Sequence, residues 1–80
     1  MLRAMGYDFS GLARILGANV RALRLRQGWS QEDLAGNTEL DRTYISQIER
    51  GTGNPSLKII ARIASTLQVK PGELLDRRFR

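Results

Sequence analysis

Residues 30–51 read SQEDLAGNTELDRTYISQIERG. Ser30 is a strong N-cap type, and Asp33 stands three residues on, the spacing at which cap and side chain satisfy each other's backbone N–H. Leu34 and Ala35 give the helix that follows an apolar side. Thr38-Glu39-Leu40 breaks the run. Asp41 then predicts the N-cap of a second helix reaching about Arg50, where Gly51 supplies a left-handed stop. Two helices this short do not persist alone in water. They must pack on each other, through Leu34, Ala35, Leu40, Ile45 and Ile48.

Two short helices joined by a tight turn form a helix-turn-helix, the layout that sets its second helix against DNA. At 100° per residue Ile45 and Ile48 point one way. Thr43, Ser46, Gln47 and Arg50 gather on the opposite side, with Arg42 on its flank near the N-terminus. These types suit base edges: Arg can make two hydrogen bonds to guanine, Gln two to adenine, and Thr offers a hydroxyl and a methyl for thymine. No acidic residue lies in that group. The same side chains elsewhere would be an ordinary solvated face, and only their place on the second helix of the motif raises them above it.

Outward from the motif, Leu12, Leu16, Val20 and Leu23 recur at helical spacing and predict a helix from about Ser10 to Gln27 with one apolar stripe. Arg14, Arg21 and Arg24 lie off that stripe. Gly11 and Gly17 weaken its first half, and Gly28 is a C-terminal stop. Trp29, next to the Ser30 cap, reads as a hydrophobic staple or core residue. On the other side, Asn54-Pro55-Ser56 opens a fourth helix whose apolar face is Leu57, Ile60, Ala61, Ala64 and Leu67, ending near Gln68. Pro71 to about Asp76 reads as a short fifth helix carrying Leu74 and Leu75. Nothing alternates with period two, so the fold class expected is all-α, a compact five-helix arrangement over residues 1–80 as one DNA-binding domain. No internal repeat, linker or low-complexity segment interrupts it.

Eighty residues with 41% hydrophobic content suffice for one modest core. The chain has no Cys and no His, which removes disulfides, thiolate metal sites and imidazole acid–base chemistry. An intracellular, cytoplasmic setting is the default expectation, with no metal, no cofactor, no small-molecule ligand and no enzymatic activity. Thirteen Lys and Arg against eight Asp and Glu give a net charge of +5, which favours polyanionic partners. No apolar run reaches membrane-spanning length, and Met1–Gly6 is too short in apolar residues for a secretory signal. Arg77, Arg78 and Arg80 read as a solvated, disordered chain end.

QEDLA, LDRTYISQIERG, NPSL and the late LLD, in this order among five helices, make the chain resemble the lambda-repressor-like family of XRE-type helix-turn-helix regulators. The resemblance runs from about Leu16 to Leu75. DRTYIS is further similar to the controller proteins of restriction-modification systems, small dimeric regulators without a separate ligand domain. The resemblance implies that the helix over about Asp41–Arg50 is the recognition helix, with Arg42, Thr43 and Gln47 as base readers and Ser46 beside them. It implies phosphate contacts from Gln31 at the start of the preceding helix and backbone contacts from Tyr44 and Arg50. It also implies a structural ion pair between Arg24 and Glu49. Two positions depart from the family pattern: Glu39 stands where the turn usually has Gly, at a cost of roughly 1 kcal/mol if left-handed, and Gly36 replaces a better helix former.

The function expected is a transcription regulator bound as a homodimer to a two-fold double-stranded DNA operator, controlling restriction-modification genes. One recognition helix gives little specific contact, and two half-sites one turn apart are the usual remedy. The dimer contact is expected on the fifth helix and the end of the fourth, through Val69, Leu74 and Leu75. The same fold serves antitoxins of toxin-antitoxin pairs and protein-interaction adaptors; Arg42, Thr43, Gln47 and the basic balance speak against the adaptor.

Overall fold

The computed structural model of the protein describes residues 8–79. The Met1–Gly6 stretch and Arg80 lie outside the described residues. Five helices follow in order: α1 (Phe9–Arg26), α2 (Gln31–Thr38), α3 (Arg42–Arg50), α4 (Leu57–Leu67) and α5 (Pro71–Leu74). The fold is all-α.

The first four begin the same way. An extended residue turns a side-chain oxygen onto a backbone N–H two or three positions ahead: Asp8 accepts from Gly11, Ser30 from Asp33, Asp41 from Thr43 and Ser56 from Ile59. At α2 the box is reciprocal, with Asp33 N–H donating to Ser30 Oγ at 3.0 Å and Ser30 N–H to Asp33 Oδ2 at 2.8 Å. The short α5 uses Pro71 in its first turn, and Lys70 N–H donates to the Glu73 carboxylate at 2.9 Å. Three of the helices, α2, α3 and α4, end on a left-handed residue. Gly51 closes α3 at φ 77°, where Gly51 N–H donates to Ile48 C=O and Thr52 N–H to Gln47 C=O, both at 3.0 Å. Glu39 closes α2 at φ 58° and Gln68 closes α4 at φ 62°, so two non-glycine residues carry the left-handed conformation.

The core draws Leu16, Val20 and Leu23 from α1, Leu34 and Ala35 from α2, and Ile45 and Ile48 from α3; α4 adds Ile60, Ile63, Ala64 and Leu67, and α5 adds Leu74. Trp29, Leu40 and Tyr44 pack half-buried against it. A fully buried Leu or Ile contributes about 1.5–3 kcal/mol, and the nine in this core, with Val20, Ala35 and Ala64, must outweigh the ordering entropy of five helices.

Four expectations change. The inner face of α4 is rotated toward Ile63, which is fully buried, while Ala61 faces outward and Leu57 is 82% exposed. Both registers offer apolar residues at helical spacing, and the bulkier side chain of Ile63 takes the core. Leu74 has no exposed surface, because it fills the core between α4 and α1, and so it cannot be the centre of a contact with another chain. Residues 77–79 are not a loose end: Phe79 packs against the core and its N–H donates to Asp76 C=O at 3.1 Å. Finally, Gly17 is a contact point rather than a weakness. A methyl there would run into the carbonyl oxygens of Ile48 and Glu49, so the absence of a side chain is what lets α1 lie against the end of α3.

Asn19, fully buried on α1, fastens the far end of the chain. Its Nδ2 donates to the carbonyls of Leu74 and Asp76, both at 2.9 Å, and lies 3.4 Å from that of Glu73. The Leu74 carbonyl belongs to the last residue of α5, while those of Glu73 and Asp76 also accept from the backbone N–H groups of Asp76 and Phe79.

Candidate nucleic-acid interface

The site is built on α3, whose inward residues Ile45 and Ile48 are 0% and 1% exposed and fix its rotation about its own axis. With that rotation set, Arg42, Thr43, Gln47 and Arg50 are exposed. Ser46 and Tyr44 are half-buried, with Tyr44 packing its ring against the core. Asp41 lies at the N-terminus of α3, and its carboxylate is bonded to Thr43 N–H at 2.7 Å. Arg50 folds back one turn and donates from Nη1 to Ser46 Oγ at 2.6 Å, a pairing at the i, i+4 spacing. Ser46 therefore presents its hydroxyl already engaged as an acceptor.

Glu49 is the one acid on α3 and would repel phosphate if it faced outward. It faces inward. Arg24 of α1 grips it from two nitrogens, Nε to Oε2 at 2.7 Å and Nη2 to Oε1 at 3.0 Å, with only 8% and 3% of the two side chains exposed. Arg24 also donates from Nη1 to Trp29 C=O at 2.6 Å, which ties the α1–α2 loop to the same point. The hydrogen bond to Glu49 raises the Arg24 pKa above its ordinary value despite burial, so the guanidinium stays charged. Two forked hydrogen bonds and a third to a carbonyl supply the partners that a buried charge needs.

Gln31, the first residue of α2, reaches the same carboxylate: its Nε2 donates to Glu49 Oε1 at 3.1 Å. A carboxylate only accepts, so it determines which end of the Gln31 amide turns inward. Gln31 is half-buried at the helix N-terminus beside the α3 face. Glu32 and Asp33 follow it in the first turn, and the Asp33 carboxylate is turned back onto Ser30 N–H.

The structure thus brings Arg42, Thr43, Gln47, Ser46 and Arg50 together along α3, and joins half-buried Gln31 to the buried Arg24–Glu49 pair beneath it. Val69 and Leu75 lie elsewhere, half-buried against the core. The sequence held no cue to the Gln31–Glu49 bond, because the two residues are 18 positions apart. The Ser46–Arg50 bond was open to inference from helical spacing alone. Among the described residues no cluster of acidic or other ligating side chains could hold a metal ion, and no helix is long and apolar enough to cross a membrane.

Known proteins share this arrangement. The HTH_3 family model, described as helix-turn-helix, matches residues 20–74. The control protein C.BamHI of Bacillus amyloliquefaciens is 51% identical over 63 residues, which is 78% of this chain and 78% of that protein. Among solved structures, the hypothetical transcription factor NHTF from Neisseria superposes with a TM-score of 0.80 at 41% identity, covering 95% of this chain and 87% of its own. The restriction-modification controller protein C.AhdI from Aeromonas hydrophila superposes with a TM-score of 0.74 at 42% identity, covering 78% of this chain and 94% of its own. With the matched region spanning α2 and α3 and the core on which they sit, the chain belongs to the HTH_3 helix-turn-helix family and is an XRE-type, lambda-repressor-like DNA-binding transcription regulator rather than an enzyme.

Proposed function

We propose that the protein binds a two-fold related DNA operator as a homodimer and controls restriction-modification genes. The observation that carries this reading is the exposed face of α3, where Arg42, Thr43 and Gln47 stand clear of a helix locked by Ile45 and Ile48. Likeness to C.BamHI and C.AhdI, a control protein and a restriction-modification controller by name, supports the choice of genes. Residues 1–80 act as one DNA-binding unit, in the cytoplasm with the DNA.

In this reading α3 enters the major groove. Arg42 pairs with guanine O6 and N7, Gln47 with adenine N6 and N7, and Thr43 sets its methyl against thymine, with Ser46 beside them. Gln31 and the α2 N-terminus hold one phosphate, and Tyr44 and Arg50 hold the backbone on either side. Two copies place two such helices one turn of DNA apart, about 34–36 Å. Their contact lies around Leu75 and Val69. Leu57 at 82% and Phe9 at 58% exposure line the same groove as Leu75 and enlarge its apolar surface. Transcription responds to occupancy: a bound dimer excludes polymerase from one position and recruits it from another.

Selection of bound fragments from random DNA tests this directly. The expected result is one enriched motif with two inverted halves about one helical turn apart, bound by two chains. Recovery of unenriched sequence would overturn the specific reading, and a single unrepeated half-site would overturn the dimer.

A further inference from the structure

We infer that Glu49, which never reaches the surface of α3, is a positioning residue for DNA binding and acts through Gln31. The inference rests on the assignment of Gln31 to a phosphate made above.

A glutamine side chain at the surface turns freely about its last bonds and presents its oxygen or its nitrogen with similar ease. Only the nitrogen can serve a phosphate, and the oxygen would repel it. Here the choice is removed. Glu49 Oε1 accepts from Gln31 Nε2 at 3.1 Å, and because a carboxylate has no proton to give, the reversed amide would set two acceptors against each other. The Nε2 group carries two N–H bonds; one is held by Glu49, which leaves the other to donate outward beside the α2 N-terminus. Glu49 is in turn immobile, since Arg24 holds both of its oxygens and only 3% of its side chain is exposed. The order of control runs from α1 through α3 to α2. One buried carboxylate therefore joins the helix that reads bases to the side chain that grips the backbone, so the two kinds of contact keep a fixed spacing.

A double-mutant cycle on the full chain tests this, with Gln31→Ala, Glu49→Gln and the pair measured for affinity to a panel of operators changed one base pair at a time, and for melting temperature. Either single change is expected to weaken every operator by a similar factor, about 2–10-fold, and the double variant is expected to bind no more weakly than Gln31→Ala alone. Melting should fall with Glu49→Gln and stay near wild type with Gln31→Ala. If the two losses in affinity multiply, Glu49 acts independently of Gln31 and the inference fails while the phosphate assignment stands. If Gln31→Ala binds as wild type, the phosphate assignment itself fails. Gln31→Asn, which leaves the Arg24–Glu49 pair intact but is one methylene too short to span to Glu49, covers the case in which Glu49→Gln does not fold. It should bind as weakly as Gln31→Ala, and wild-type affinity in this variant would overturn the inference.

Discussion

The seam between α1 and α3 and the corner where α4 meets α5 are both buried, but they are held by different forces. At the seam the backbones touch across Gly17, and Arg24 and Glu49 form a dry ion pair with fixed angles. Between α4 and α5 Leu67 and Leu74 bury apolar surface with no directional bond between them, and the hydrogen bonds that hold α5, from Asn19, run to α1 instead. Directional contacts fix position, whereas apolar burial stabilises with little regard to angle. The precise contacts sit where α3 must be aimed. The tolerant ones sit where the chain has only to be closed.

Breaking the seam chemically should have the largest effect. Glu49→Ala leaves the Arg24 guanidinium buried without its carboxylate, and a loss of about 3–5 kcal/mol in stability is expected by urea denaturation, together with loss of operator binding at 37 °C. Measured stability within 1 kcal/mol of wild type would mean that the pair opens to water.

Leu74→Ala cuts the corner instead. It should cost about 2–5 kcal/mol, yet at low temperature, where the variant is still folded, its ranking of single-base operator variants should match that of wild type. A changed ranking would show that the corner also aims α3.

Gly17→Ala sharpens the contrast, since a single methyl must push α3 away from α1. Destabilisation of about 1–3 kcal/mol is expected, and here the loss of operator affinity should exceed what the unfolded fraction explains. The check is affinity corrected for folded protein by circular dichroism.

The smallest effect is expected at the turn before α3. Glu39 holds φ 58° without being glycine, so Glu39→Gly should raise stability by up to about 1 kcal/mol. Melting temperature should rise slightly with no change in affinity.

What could be read in the sequence were features whose cause lies within four residues. The caps at Ser30 and Asp41, the stop at Gly51, and the outward face of α3 all follow from a residue and its near neighbours on one helix. The face of α4 did not, because Leu57 and Ile63 compete for the interior on equal local terms and only the position of α1 and α5 decides between them. Gly17 looked like a weak point for the same reason: its use depends on α3, some thirty residues away. Arg24 lay off the apolar stripe of α1 and gained its buried place from Glu49 rather than from its own helix. Of the candidate interface, the exposed face of α3 could be assigned from periodicity, while the Gln31–Glu49 bond depends wholly on how α2 and α3 are set together.

The Asn19 clasp bears on the order in which the molecule is assembled. The carbonyls it holds belong to residues 73, 74 and 76, so a side chain near the start of the chain finds its partners 54 to 57 residues later. Closing so long a loop carries an entropic cost that local helix formation does not. On the ribosome, residues as far as 76 must clear the exit tunnel before α1 can complete its packing. Until then the helix-turn-helix is present as sequence without its finished support, and the growing chain has no settled face to offer DNA.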